Sequence, residues 1–288
     1  MNLAYVLALI TFIGWGSGDL FTIVVTRNIG ASLTTFWTFV FGFIISLVVL
    51  LFVPHDISGL TIPLLILNLF LGVLLITGNV LISEAFRISS APLVGIIIQS
   101  FPAVVLVLST FVYGDVVTLK QWFFIAIIFI GVFLCSVDLK QLLSAKVLID
   151  HGTRLALIAT ICLSIFFTFS RTLISAYGWF LPSFIATLCF PLILIFMRSR
   201  KEKFIAPPSL KLLFFTLMIA LLIRSADFAL NYGLSIPGAS SIVAPIAGAA
   251  PILFVILSSL IFKDKVSKQQ IGGIAVTLLG IMLLTLNP

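Results

Sequence analysis

The sequence predicts an all-α membrane protein whose ten transmembrane helices form two inverted five-helix repeats around a central cavity. Three observations predict it. Of the 288 residues, 61% are hydrophobic and only 9% charged, against about 25% charged in a soluble domain that must cover itself with solvated groups. The apolar residues fall in runs long enough to cross a bilayer, and the mean hydropathy is +1.34. Finally, the stretch 91–138 returns as 240–287 without a gap, with 12 of 48 aligned positions identical. Most of those matches are aliphatic, but Pro102/Pro251, Asp115/Asp264, Gln121/Gln270 and Gly131/Gly280 are rarer residues in register.

A span needs roughly 20 apolar residues, set by a hydrocarbon core of about 30 Å and a rise of about 1.5 Å per residue. Ten segments qualify: 3–25, 33–53, 62–85, 91–113 and 119–137, then 154–177, 180–197, 209–233, 239–262 and 268–286. Runs of this length are helical, because barrel strands alternate over about 10 residues. The seventh is short and carries Pro182 and Pro191. The first has no basic segment before it and is too long for the core of a signal peptide, so it reads as a span.

The duplication covers the whole chain. Leu7-Ala8-Leu9-Ile10 recurs as Leu155-Ala156-Leu157-Ile158, and Leu33, Thr35 and Phe36 meet Leu181, Ser183 and Phe184, at an offset of 148. The domain reading is a first repeat over 1–138, a polar connector over 139–153 and a second repeat over 154–288. Five is odd, so the second repeat enters the membrane upside down. Such inverted repeats are a common transporter architecture, with the substrate near the midplane where the repeats meet.

Connections after odd-numbered spans carry Arg27, Arg87, Lys140, Lys146, Arg154, Arg198, Arg200, Lys201, Lys203, Lys211, Lys263, Lys265 and Lys268, whereas the other connections carry only Lys120. The positive-inside rule places the odd connections in the cytoplasm and both termini outside. The net charge of +7 therefore belongs to loops, and no nucleic-acid partner is implied.

Gly14-Trp15-Gly16-Ser17 in span one, Pro102 and Pro251 in the fourth helix of each repeat, and Gly131 and Gly280 late in the fifth together make the chain resemble the drug/metabolite transporter superfamily, in its EamA-like ten-helix branch. The resemblance implies a basket of ten helices working by alternating access on small metabolites, often as an exporter. Two departures stand out. The family usually has Gly-Glu between its fourth and fifth helices, where this chain has Gly114-Asp115 and Lys263-Asp264. Its members are expected to have cytoplasmic termini, opposite to the loop charges.

An ionisable group at membrane depth costs about 2.5–3.5 kcal/mol on insertion scales, which makes it a functional candidate by default. Asp19 in span one, Arg171 in span six, and Arg224 with Asp227 in span eight qualify; Glu84 sits near an interface. Arg224 and Asp227 are three apart and share a helix face. They form either a structural ion pair or, with Asn231, a polar stripe facing a cavity. Asn79 is the counterpart of Asp227 at the 148 offset. Counted along the helices, Arg171 and Asp227 share one level and Asp19 and Asn79 another, so two polar layers are expected to flank the midplane. A zwitterion can use an Arg for its carboxylate, through a bidentate fork, and an Asp for its amine.

The expected substrate-binding set is Asp227, Arg224, Arg171, Asn231, Asn79, Gln99 and Trp15. Asp19 is read as a proton-coupling group, the alternative being a hydrogen-bonded structural aspartate. Pro102 and Pro251 each remove a backbone hydrogen bond and kink their helices, as hinges or as static bends.

Enzyme chemistry is not expected, since the sequence has no Walker loop and no Ser/His/Asp set at a common depth. His55 and His151 lie in connecting segments. No cofactor or metal is implied, and the three cysteines read as small core residues. The function expected is a secondary transporter, an exporter of small polar or zwitterionic metabolites such as amino acids, in a bacterial or archaeal cytoplasmic membrane. Its partners are the small-molecule substrate, the bilayer and a coupling proton; the sequence does not fix an oligomeric state. The alternatives are a sugar or cation-coupled importer of the same fold, and a lipid carrier whose cavity opens sideways.

Overall fold

The computed structural model describes residues 2–53, 57–136, 150–199, 201–204, 207, 209–236, 240–264 and 266–286. Among them are thirteen helices and no strand. In chain order these are α1 (Asn2–Ile29), α2 (Ala31–Leu50), α3 (Ile62–Ile88), α4 (Ala91–Ile98), α5 (Phe101–Tyr113), α6 (Leu119–Ser136), α7 (His151–Tyr177), α8 (Leu181–Thr187), α9 (Leu192–Ser199), α10 (Leu210–Ser235), α11 (Ser240–Gly248), α12 (Ala250–Phe262) and α13 (Lys268–Leu286). The pairs α4/α5, α8/α9 and α11/α12 are each one span broken in the middle, which leaves ten spans. Seven helical stretches are long and apolar enough to cross a membrane, and three shorter apolar ones complete the ten. Most of the connector, with Lys140 and Lys146, lies outside the described residues, as does His55. At its end the carboxylate of Asp150 accepts from the backbone N–H of Gly152 and Thr153, so α7 starts at His151, three residues earlier than expected.

The broken spans correct a picture of bent but continuous helices. Pro102 has no N–H to give to Ile98, and the chain tightens instead. Ser100 N–H reaches Ile97 O at 3.2 Å and Ala103 N–H reaches Ser100 O at 3.1 Å. The helix therefore stops at Ile98 and restarts with Pro102 in a first turn, where a missing N–H costs nothing. The second repeat does the same around Ala249, with Pro251 in the first turn of α12. The surroundings of the two prolines differ, however, since Pro102 is exposed and Pro251 buried. Span seven breaks between Thr187 and Leu192, just before and at Pro191.

The repeats interlock through three antiparallel pairs. Along α1 and α10, Leu7 sits against Gly233 and Gly14 against Leu222 and Ala226. Along α3 and α7, Asn68 donates to Tyr177 Oη at 2.8 Å, Gly78 faces Cys162 and Leu163, and Ser89 donates to Asp150 at 3.0 Å. Along α6 and α13, Gly131 meets Thr277 and Gly280 meets Ile128. In a bilayer there is no hydrophobic gain between helices, so such contacts rest on close van der Waals packing, which small residues permit. A Cβ on Gly14 would stand 2.5 Å from the carbonyl oxygen of Leu222. Spans one and three of a repeat run the same way, yet α1 runs opposite to α10, the third span of the other repeat. The repeats are therefore inverted.

Candidate functional site

A cavity of about 120 Å³ lies where the inverted repeats meet. Its wall shows the duplication directly. Trp15 and Leu163, Asp19 and Phe167, Leu75 and Ile223, Asn79 and Asp227, and Ile82 and Leu230 all line it, and each pair is related by the offset of 148. The cavity thus sits on the pseudo-two-fold axis. Gln99 and Phe101 flank the break in span four and reach the same space, as do Phe166, Ser183, Arg224 and Asn231.

Asp227 is the best-connected group. Its Oδ1 accepts from the indole N–H of Trp15 at 3.0 Å, and its Oδ2 lies 3.7 Å from Arg224 Nη1. That second distance is an ionic contact, too long for a hydrogen bond. Arg224 is 6% exposed and is aimed by α2, with its guanidinium over the ring of Phe39 at 5.2 Å. The missing side chain of Gly42 leaves room for it, since a Cβ there would come within 2.8 Å of Arg224 Nε. Among the described residues no side chain or backbone group hydrogen-bonds to the Arg224 guanidinium, and none hydrogen-bonds or ion-pairs to Asp19. Asp19 does lie within coulombic range of Asp227.

Two polar crosslinks join the second and third spans, one in each repeat, and the Ser183–Asn231 one lies on the cavity wall. Thr35 Oγ1 and Ser83 Oγ are 3.1 Å apart, and Asn231 Nδ2 donates to Ser183 Oγ at 3.3 Å. Thr35 and Ser183, like Ser83 and Asn231, are repeat counterparts. Asn79 turns its amide N–H back to Leu75 O at 2.8 Å while still lining the space. An aromatic wall, with Phe101 stacked on Phe167 at 4.9 Å and Trp15 edge-on to Phe101 at 6.4 Å, faces the charged groups.

The structure thus gathers Trp15, Asp19, Asn79, Gln99, Arg224, Asp227 and Asn231 around one cavity. The residues expected on the two polar levels, Asp19 and Asn79 on one and Asp227 on the other, line the same cavity. One expectation is corrected: Arg171 does not join them. Its Nη1 is 2.6 Å from Asp115 in the turn after α5, and its side chain is 60% exposed. A long arginine stem can carry its charge out of the span to a wetter level, so position along the helix misjudged it. Pro102 and Pro251 mark helix breaks outside the cavity wall. Glu84 is buried and takes Arg87 through both carboxylate oxygens at 2.7 Å. Ser183 and Phe167 were not singled out, although the offset of 148 from Thr35 and Asp19 points to them.

The model of the EamA-like transporter family matches residues 2–137 and again 151–286. The chain belongs to the EamA-like transporter family. It is thus an integral, multi-pass membrane protein of a family of small-molecule transporters, and the two matched segments coincide with the two interlocked five-span halves. No curated protein matches this chain. A solved crystal structure with 15% identity superposes with a TM-score of 0.67, covering 98% of this chain and 97% of its own. At that identity the likeness concerns the fold.

Proposed function

We propose that this EamA-like protein is a secondary transporter of small zwitterionic metabolites such as amino acids, with Arg224 taking the carboxylate and Asp227 and Asp19 facing the ammonium group. One observation carries the reading: the buried Arg224 guanidinium and the Asp19 carboxylate line the same small cavity, and among the described residues neither is hydrogen-bonded, Arg224 having only its 3.7 Å ionic contact with Asp227. Burying charge is costly unless it is paired and hydrogen-bonded, so hydrogen-bonding positions left unfilled at such depth suit charges that arrive with a ligand. Gln99, Asn79 and Asn231 supply further polar groups, Trp15 orients Asp227 through its N–H, and Phe101, Phe166 and Phe167 accept the substrate's apolar part. Asp19, one turn beyond Trp15 on α1, takes and releases the coupling proton. Export from a bacterial or archaeal cytoplasmic membrane is the direction and setting suggested by the family.

The test is flux of a panel of small amino acids into and out of proteoliposomes under an imposed pH gradient. Arg224→Ala and Asp227→Ala are expected to lower flux about tenfold or more, the scale of losing a hydrogen bond to a charged group. Asp19→Asn is expected to retain substrate exchange and lose gradient-driven accumulation. Flux indifferent to both alanine variants would remove the site assignment, and flux indifferent to the pH gradient would remove the coupling role of Asp19.

A further inference from the structure

The duplicated aspartates stand outside the cavity, at opposite ends of the bundle. Asp115 lies in the turn between α5 and α6, and Asp264 in the turn between α12 and α13. The residue before each is left-handed, Gly114 at φ 70° and Lys263 at φ 51°. Each carboxylate holds an arginine from the first span of the other repeat, Asp115 with Arg171 at 2.6 Å and Asp264 with Arg27 at 2.8 Å. Each guanidinium also lies over the ring two residues before that aspartate. Arg171 is 4.9 Å from the centroid of Tyr113, and Arg27 is 5.1 Å from that of Phe262. Tyr113 and Phe262 are themselves repeat counterparts.

The arginines come from positions one helical turn apart in their repeats, 27 and 171 less 148. Inversion of the repeats puts the two clamps on opposite membrane faces. Each joins the hairpin of one repeat's fourth and fifth spans to the first span of the other. The first spans border the cavity in both clamps, α1 through Trp15 and Asp19 and α7 through Leu163 and Phe167; span four reaches it through Gln99 and Phe101, whereas the hairpin of spans nine and ten is not among its lining elements.

We propose that the two clamps are the two gates of the transport cycle, each sealing one end of the cavity and opening when the other holds. Partly exposed ion pairs are weak, which suits a contact broken once per turnover. Two clamps of one construction keep the two closed ends near in free energy, so a ligand or proton can tip the balance. The gates are unequal. Asp264 also accepts the backbone N–H of Ala91 at 2.8 Å, whereas at the other end it is Tyr113 Oη that adds ties, to Thr168 O at 3.1 Å and Thr172 Oγ1 at 2.7 Å, so loss of the Asp264 carboxylate removes two ties and loss of the Asp115 carboxylate one.

The experiment uses the full chain in membranes, with Ser183→Cys as a cavity reporter and a membrane-impermeant maleimide applied to either face. The parent chain, whose three cysteines are buried, is the blank. Asp264→Asn is expected to raise reporter labelling from the Arg27 face roughly two- to fivefold, the population shift that follows the loss of a weak ion pair. Asp115→Asn is expected to raise it from the opposite face by less. Exchanging the charges, Arg27→Asp with Asp264→Arg, should return labelling toward the parent level. An oxidised Arg27→Cys/Asp264→Cys pair should close that face to the reagent. Labelling that ignores both asparagine variants, rises equally from both faces, or persists through the oxidised cross-link would overturn the proposal. The readout needs no substrate, so it stands apart from the zwitterion assignment.

Discussion

The two repeats agree where they pack and differ where they line the cavity. Gln121 and Gln270 each close a capping box, accepting from Thr118 N–H at 2.8 Å and Ser267 N–H at 2.9 Å while their own N–H groups bond the hydroxyl in return. This is the reciprocal arrangement that satisfies orphan donors at a helix start. Gly131 and Gly280 sit where α6 and α13 touch, and Pro102 and Pro251 restart broken spans. On the cavity wall, in contrast, Trp15 answers to Leu163, Asp19 to Phe167 and Asn79 to Asp227. A two-fold symmetric cavity would offer every group twice. The recognition proposed above, of a molecule with an acidic end, a basic end and an apolar side, requires that symmetry to be lost in chemistry while it is kept in backbone.

That contrast can be broken at several points. The largest effect is expected at the shared frame. A Cβ on Gly131 would stand 2.6 Å from the backbone nitrogen of Thr277, and backbone moves aside only at high cost. Gly131→Leu should destabilise the protein by about 1–3 kcal/mol or more, the scale of overpacking, and Gly280→Leu by a similar amount. Thermal unfolding in detergent measures both, and a parent-like melt for either would show that the α6–α13 contact is looser than described.

A smaller effect, on transport with little change in stability, is expected from exchanging the counterparts Asn79 and Asp227. The double variant Asn79→Asp/Asp227→Asn conserves composition, but the Trp15 N–H and the Arg224 guanidinium lie beside position 227. Flux in proteoliposomes should fall about tenfold, as for loss of a charge-assisted hydrogen bond. Unchanged flux would mean that the two halves of the cavity are interchangeable after all. The smallest effect is expected at the crosslinks, where chemistry and frame still coincide. Thr35→Ala and Ser183→Ala should each cost about 0.5–1.5 kcal/mol in the same melt, and a marked inequality would show that only one crosslink matters.

Much of this was legible before any coordinates. Ten spans, an inverted duplication and the candidacy of Asp19, Asn79, Gln99, Arg224, Asp227 and Asn231 as inward-facing polar groups follow from run length, offset and the cost of charge in lipid. What was not legible concerns rotation and reach. Position along a helix gives a level but not the face presented, so two polar levels could be counted but not the single cavity that both line. Arg171 was placed by its Cα, but its long side chain reaches Asp115, a residue 56 positions earlier in the chain. The breaks at Ser100 and Ala249 were read as kinks because proline identity alone does not say whether the helix bends or restarts.

The contact of Gly14 with the backbone of Leu222 has a consequence for how such a chain comes to exist at all. The glycine face of α1 fits a helix of the second repeat, and the facing surface of α7 fits a helix of the first. Cut at the connector, each half would carry an unfilled seam, and the piece that fills it is its own likeness inserted the other way up. A half-length chain of this pattern is therefore not a small transporter but one member of an antiparallel couple. Its assembly would require one polypeptide to enter the same membrane in both senses.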